Sequence, residues 1–95
     1  MKITVEFLSL PIVVKKVGSK TVVLDFPGTT VNDLIQEVAG KYGQDVQKFL
    51  LDETGRLDMS LAVMVNQQEW VRHNQMDRQL RDGDKVTIMM LVAGG

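Results

Sequence analysis

The sequence predicts an α+β domain: a mixed sheet of four to five strands with one main helix packed across one face. Three observations carry that expectation. The chain begins with strict alternation, Ile3, Val5 and Phe7 between Lys2, Thr4 and Glu6, the signature of a half-buried strand. A single stretch, Val31 to Tyr42, repeats apolar residues at helical spacing. Two later apolar runs, Leu61–Val65 and Lys85–Val92, are bounded by turn-forming residues.

In chain order, Pro11 is expected to end the first strand, because proline cannot donate to a ladder. Lys15-Lys16-Val17-Gly18-Ser19-Lys20 reads as a turn, and Thr21 to Phe26 as a second β-rich run closed by Pro27-Gly28. Two strands joined in this way predict a hairpin. Thr30 is placed to cap the helix, with Asp33 three positions on in the role of a capping-box carboxylate. Val31, Leu34, Ile35, Val38 and Tyr42 share one face, while Asn32, Gln36, Glu37 and Lys41 fall elsewhere. Gly43 stands where a left-handed residue commonly ends a helix.

Beyond it the pattern weakens. Val46, Phe49 and Leu50 suggest a short helical turn, and Asp52 to Arg56 a turn. Leu61 to Val65 is apolar throughout, as in a strand covered on both sides. Asn66-Gln67-Gln68 reverses the chain into a brief strand at Glu69-Trp70-Val71. Leu80-Arg81-Asp82-Gly83-Asp84 is a turn before the last strand, which ends in Ala93-Gly94-Gly95. A last strand lying beside the first would bring the C-terminus out from the middle of the sheet.

Size and composition narrow the function classes. Ninety-five residues make one domain, 1–95, with room for a sheet and helices but hardly for an enclosed active site as well. The charge balance is −1, and the basic residues Lys15, Lys16, Lys20, Arg72, Arg78 and Arg81 are scattered. Nucleic-acid binders gather such residues on one face, and electrostatic membrane anchors carry them in a block. Neither partner is expected. The chain holds no cysteine, hence no thiolate metal site and no thiol nucleophile. The N-terminal alternation lacks the apolar core of a signal peptide, so a cytoplasmic protein is expected.

Few residues suggest chemistry of their own. His73 is the only histidine and sits in a polar stretch without a second ligand at metal spacing; it reads as solvent-exposed, and no metal site is expected. Asp82 and Asp84 around Gly83 read as a turn held by aspartate side chains. Trp70 reads as the anchor of a small apolar cluster. Met64 and Met90 read as core. Met89 and Leu91 alternate to the opposite sheet face, where an exposed apolar patch would meet a partner. Gly94 and Gly95 offer no side chain to pack; such a segment, about 93–95, is flexible, and it threads a narrow channel that would exclude larger residues.

The segment Leu80-Arg81-Asp82-Gly83-Asp84-Lys85-Val86, an apolar strand and the terminal Val92-Ala93-Gly94-Gly95 together resemble the C-terminal signature of the MoaD/ThiS sulfur-carrier family. The first strand, the Thr30-capped helix and Val63-Met64-Val65-Asn66 fit the same pattern. That resemblance implies a ubiquitin-like β-grasp fold and a protein that is a substrate and not a catalyst. It implies that an E1-like enzyme uses ATP to adenylate the carboxylate of Gly95, and that sulfur then replaces AMP to leave a thiocarboxylate. No cofactor is bound by the carrier itself. It also implies a partner surface at Met89, Leu91, Val92 and Ala93, and a large synthase subunit as a second partner. Molybdopterin-synthase carriers have two prolines just before their terminal motif, where this chain has Met89-Met90-Leu91. The pathway served therefore stays open, as does conjugation of Gly95 to other proteins or a purely non-covalent role.

Overall fold

The computed structural model describes residues 1–91 of the 95-residue chain. Its first strand, β1 (Lys2–Leu8), follows from the alternation: Ile3, Val5 and Phe7 are buried, and their neighbours point to the other face. After β1 come α1 (Pro11–Val17), β2 (Thr21–Asp25), α2 (Val31–Lys41), α3 (Gln44–Leu50), β3 (Leu61–Val65), β4 (Glu69–Val71), a single 3-10 turn and β5 (Lys85–Met90). The five strands form one sheet in the order β2-β1-β5-β3-β4. β1 runs parallel to β5, with Val5 beside Val86 and Phe7 beside Ile88, and every other neighbouring pair is antiparallel. The predicted hairpin forms, with Ile3 opposite Leu24 and Val5 opposite Val22.

Its connection is a correction to the sequence reading. Pro11–Val17 is a helix and not part of an open turn. Pro11 occupies the first turn, where a missing N–H is no loss. Gly18, at φ 90°, closes the helix by donating its N–H to the Val14 carbonyl at 2.8 Å. Ile12, Val13 and Val14 are β-branched and locally poor helix formers. Burial decides the matter, because Leu10 and Val13 are sealed in the core. Tertiary packing holds a helix that its own residues scarcely favour.

The main helix meets the expectation residue by residue. The Asp33 N–H donates to Thr30 Oγ1 at 3.1 Å, and the Thr30 N–H donates back to Asp33 Oδ2 at 3.1 Å. The Thr29 N–H reaches the same carboxylate oxygen at 3.0 Å. Val31, Leu34, Ile35, Val38 and Ala39 form its buried face, whereas Tyr42 is only half-buried. Gly28 makes the approach to this cap possible: a Cβ there would lie 2.5 Å from the Phe26 ring and 2.7 Å from the Asp33 Cβ. α3 grows from the weak Val46, Phe49 and Leu50 signal and buries Val46 and Leu50. All three helices lie on one side of the sheet, over Ile3, Val5, Phe7, Leu61, Val63, Val65, Val86 and Ile88. No second layer covers the other face, so β3 is not the doubly covered strand that its composition suggests. Among the described residues, no helix is long and apolar enough to cross a membrane.

Thr30→Ala removes the acceptor of one orphan N–H and should lower the unfolding free energy by about 1 kcal/mol in a denaturant titration. Asp33 is held below the ordinary aspartate range, chiefly by the Thr29 and then the Thr30 N–H. A depressed folded value means that this stabilisation is complete above the unfolded value of about 4 and is lost as pH falls through the folded one. Asp52, held down by the Thr54 hydroxyl, and Asp58, held down by the Ser60 hydroxyl, add the same sign. The thermal midpoint should therefore fall on acidification below that range, and Asp33→Asn should flatten part of the fall.

Candidate functional site

The last strand is fixed before it begins. In the turn ahead of β5, Gly83 adopts φ 89°, a left-handed conformation that a side chain resists. Its N–H donates to the Lys2 carbonyl at 2.8 Å, and the Lys2 N–H donates to Asp82 Oδ1 at 2.7 Å. Asp84 takes the other direction: Oδ2 accepts the Arg81 N–H at 2.8 Å, and Oδ1 accepts the Asn66 side-chain amide at 2.9 Å. Asn66 Oδ1 in turn accepts the Lys85 N–H at 2.9 Å. Asp82 thus ties the turn to β1 and Asp84 ties it to the end of β3. They are the turn-holding aspartates expected from the sequence, not a paired catalytic site. Burial pushes the Asp84 carboxyl up, but the Asn66 amide, the Arg81 N–H and the nearby guanidinium of Arg78 together bring it below its usual range.

From that turn, β5 runs between β1 and β3 with ladder partners on both sides. The ladder continues past the strand, where the Leu91 N–H donates to the Ser60 carbonyl at 2.8 Å. The backbone is therefore held up to Leu91 at the middle of the sheet. Of the predicted site residues, Val92, Ala93, Gly94 and Gly95 lie outside the described residues. Met89 and Leu91 lie within them. Met89 is half-buried on the face away from the helices, beside Leu8 and Ala62, and Leu91 is exposed.

Two assignments of methionine to the core need correction. Met64 is half-buried on the open face, because Val63 and Val65 take the helix side and alternation leaves Met64 opposite. Met90 points to the helix side but is 37% exposed, since it lies at the strand end beyond Ile88 where the cover gives out. Trp70 is also corrected: it is 55% exposed on the open face beside Met64 and anchors no interior cluster. The open face therefore presents Leu8, Met89, Met64 and Trp70 around the small buried Ala62 and Thr87. At its centre the Thr87 hydroxyl donates to Glu6 Oε1 at 3.3 Å, and Lys85 Nζ lies 3.5 Å from the same oxygen. The face is apolar, with one internally neutralised ion pair.

On the helix side, a groove of about 570 Å³ is lined by Asn32, Gln36, Arg56, Met59, His73 and Met76, among others. His73 is half-buried there, not fully solvent-exposed, with Nε2 3.2 Å from the Asp58 carbonyl. No nucleophile–base pair accompanies it, and among the described residues no three His, Cys, Asp or Glu side chains converge as metal ligands.

A helix-backed mixed sheet that delivers its terminal segment from the central strand defines a ubiquitin-like β-grasp carrier, which is not itself a catalyst. The chain belongs to the ThiS family, whose sequence profile matches residues 13–95; with its relatives it falls among the sulfur carriers and ubiquitin-like small modifiers. A putative sulfur carrier protein of Archaeoglobus fulgidus is 32% identical over 72 residues, covering 76% of this chain and 81% of that protein. The solution structure of Urm1 from Trypanosoma brucei superposes with a TM-score of 0.75 at 30% identity, over 99% of this chain and 95% of that one. The crystal structure of the Amycolatopsis orientalis BexX/CysO complex contains a chain matching with a TM-score of 0.72 at 29% identity, over 98% of this chain and 99% of that one.

The turn before β5 is testable by itself. Asp84→Ala strands the Asn66 amide and the Arg81 N–H and should destabilise the fold by about 1–3 kcal/mol in urea. Asp82→Ala, at a more exposed bond, should cost less.

Proposed function

We propose that the working group of this protein is the carboxylate of Gly95, adenylated by an E1-like enzyme and converted to a thiocarboxylate that donates sulfur in cofactor biosynthesis of the molybdopterin type or a related kind. The observation that carries the reading is the delivery of the terminal Val-Ala-Gly-Gly segment from a central strand bonded up to Leu91. A carboxylate is a poor electrophile until it has a good leaving group. One of its oxygens attacks the α-phosphorus of ATP and expels diphosphate. A persulfide sulfur of the activating enzyme then attacks the acyl carbon, and AMP departs. A second thiol cleaves the acyl disulfide, leaving the thiocarboxylate on Gly95 and a disulfide on the enzyme. This chain has no cysteine with which to hold a persulfide itself, so the sulfur rides on the acyl carbon.

The reaction takes place in the cytoplasm, with the activating enzyme as the first partner and a large synthase subunit as a second. Gly94 adds no side chain that would block entry of the terminus into an enzyme channel. Met89 and Leu91, on the face beside the tail, are assigned to partner contact together with Val92 and Ala93. The printed pairing of CysO with BexX in one crystal supports an enzyme partner for a protein of this fold.

Incubation with ATP, the cognate activating enzyme and a sulfur source should raise the intact mass by the difference between sulfur and oxygen. Deletion of Gly95 should abolish that shift and leave the thermal midpoint unchanged. No adenylate and no mass shift with a competent enzyme would sink the proposal. A product joined to target lysines through an amide, without any thiocarboxylate, would make the protein a modifier instead. Leu91→Lys should weaken enzyme binding without loss of stability, and marked unfolding would place Leu91 in the core.

A further inference from the structure

We infer that Trp70 is the anchor by which the adenylating enzyme grips this carrier, with Met64 as the floor beneath the indole; the inference rests on the proposed function and names a contact remote from the tail. The first ground is the cost of the arrangement. Trp70 is the only tryptophan of the chain and is 55% exposed, on a three-residue strand at the sheet edge. An exposed large aromatic on an edge strand is a liability for a free domain. Tryptophan is also the residue most enriched among those that dominate binding energy.

The second ground is rigidity. The turn into β4 places Asn66 and Gln67 at φ 53° and 57°, the paired left-handed conformation that matches strand twist. Arg78 forks onto the carboxylate of Glu69, with Nε 2.7 Å from Oε2 and the second nitrogen 2.9 Å from Oε1. Its third nitrogen donates to the Gln79 carbonyl at 2.7 Å. This clamp holds the residue next to Trp70 from the opposite face of the sheet. The indole is therefore presented in one place before any partner arrives, and a preorganised aromatic loses little freedom on binding.

The third ground is where the chain ends. Four residues follow Leu91, so the Gly95 carboxylate lies at most about 14 Å beyond it. An enzyme that reacts with that carboxylate must come up against this end of the sheet. Leu91 is bonded to Ser60, and Trp70 pairs with Met64 one strand away. Four residues along and one strand across place the two about 14 Å apart. A partner footprint of about 800 Å² has a radius of about 16 Å, enough to cover both. The surface between them is Met64, Met89, Ala62 and Leu8, with Glu6 already neutralised by Lys85. The matching enzyme surface is apolar, with a pocket for the indole and an acceptor for its N–H.

The test is adenylation by the E1-like enzyme of the same organism, followed as AMP formation against carrier concentration. Trp70→Ala should raise KM tenfold or more and leave kcat within about twofold, with an unchanged thermal midpoint, and Trp70→Phe should recover part of the loss. Unchanged KM, or a fall in kcat alone, overturns the inference. A second measurement needs no variant. Carrier labelled with fluorotryptophan has a single fluorine resonance, which should shift or broaden when enzyme is added. An unaltered resonance at saturation overturns the inference as well. Carrier lacking Gly95 separates the two claims: it should still perturb the resonance while forming no adenylate. Adenylation that survives loss of Gly95 would refute the proposed function and not the docking role of Trp70.

Discussion

The structure depends on β5 lying in the middle of the sheet, parallel to the first strand and antiparallel to β3. The residues that close the sheet come from its two ends in sequence, since Val5 pairs with Val86 and Phe7 with Ile88. Such a pairing is expensive to form, because the intervening chain must be ordered before the contact stabilises anything. Two features offset that. The Asp82-Gly83-Asp84 turn binds the chain to Lys2 on one side and to Asn66 on the other, which sets the start and register of β5. Burial of Val86 and Ile88 against three helices then rewards the closure.

Function follows from the same placement. A strand bonded on both edges cannot peel away without breaking two ladders, so everything up to Leu91 is a firm base for what comes after it. A terminus leaving an edge strand would lack that support. The uncovered sheet face flanks this exit and is apolar. The domain thus puts a reactive end and a recognition surface side by side, and leaves the catalytic groups to a partner. That division suits a chain too small to enclose a site of its own.

The sequence and the structure agree most closely where chemistry is local. The Thr30-Asp33 cap needs only two side chains three residues apart, and both of its bonds are present. The turn at Gly83 and the buried stripe of α2 are equally local. Disagreement arises where distant residues decide. Pro11–Val17 looks extended because its β-branched residues prefer strands, yet the core over Leu10 and Val13 bends it into a helix. Leu61–Val65 looks doubly covered, yet no second layer exists, so Met64 surfaces. Trp70 looks like an interior anchor because aromatic residues usually bury, and nothing local reveals that its strand is the last of the sheet.

By itself the sequence determined the class of fold, the capped helix, the turn before the last strand and the resemblance of the terminal segment to a carrier tail. All of these are written in neighbouring residues, through caps, alternation and turn chemistry. Tertiary structure alone decided which strand is central, which face stays open and which side chains stand on it. Those outcomes depend on which strands pair and on how far the helices extend over them. Strand alternation assigns each residue to one of two faces, but only packing tells which face is covered.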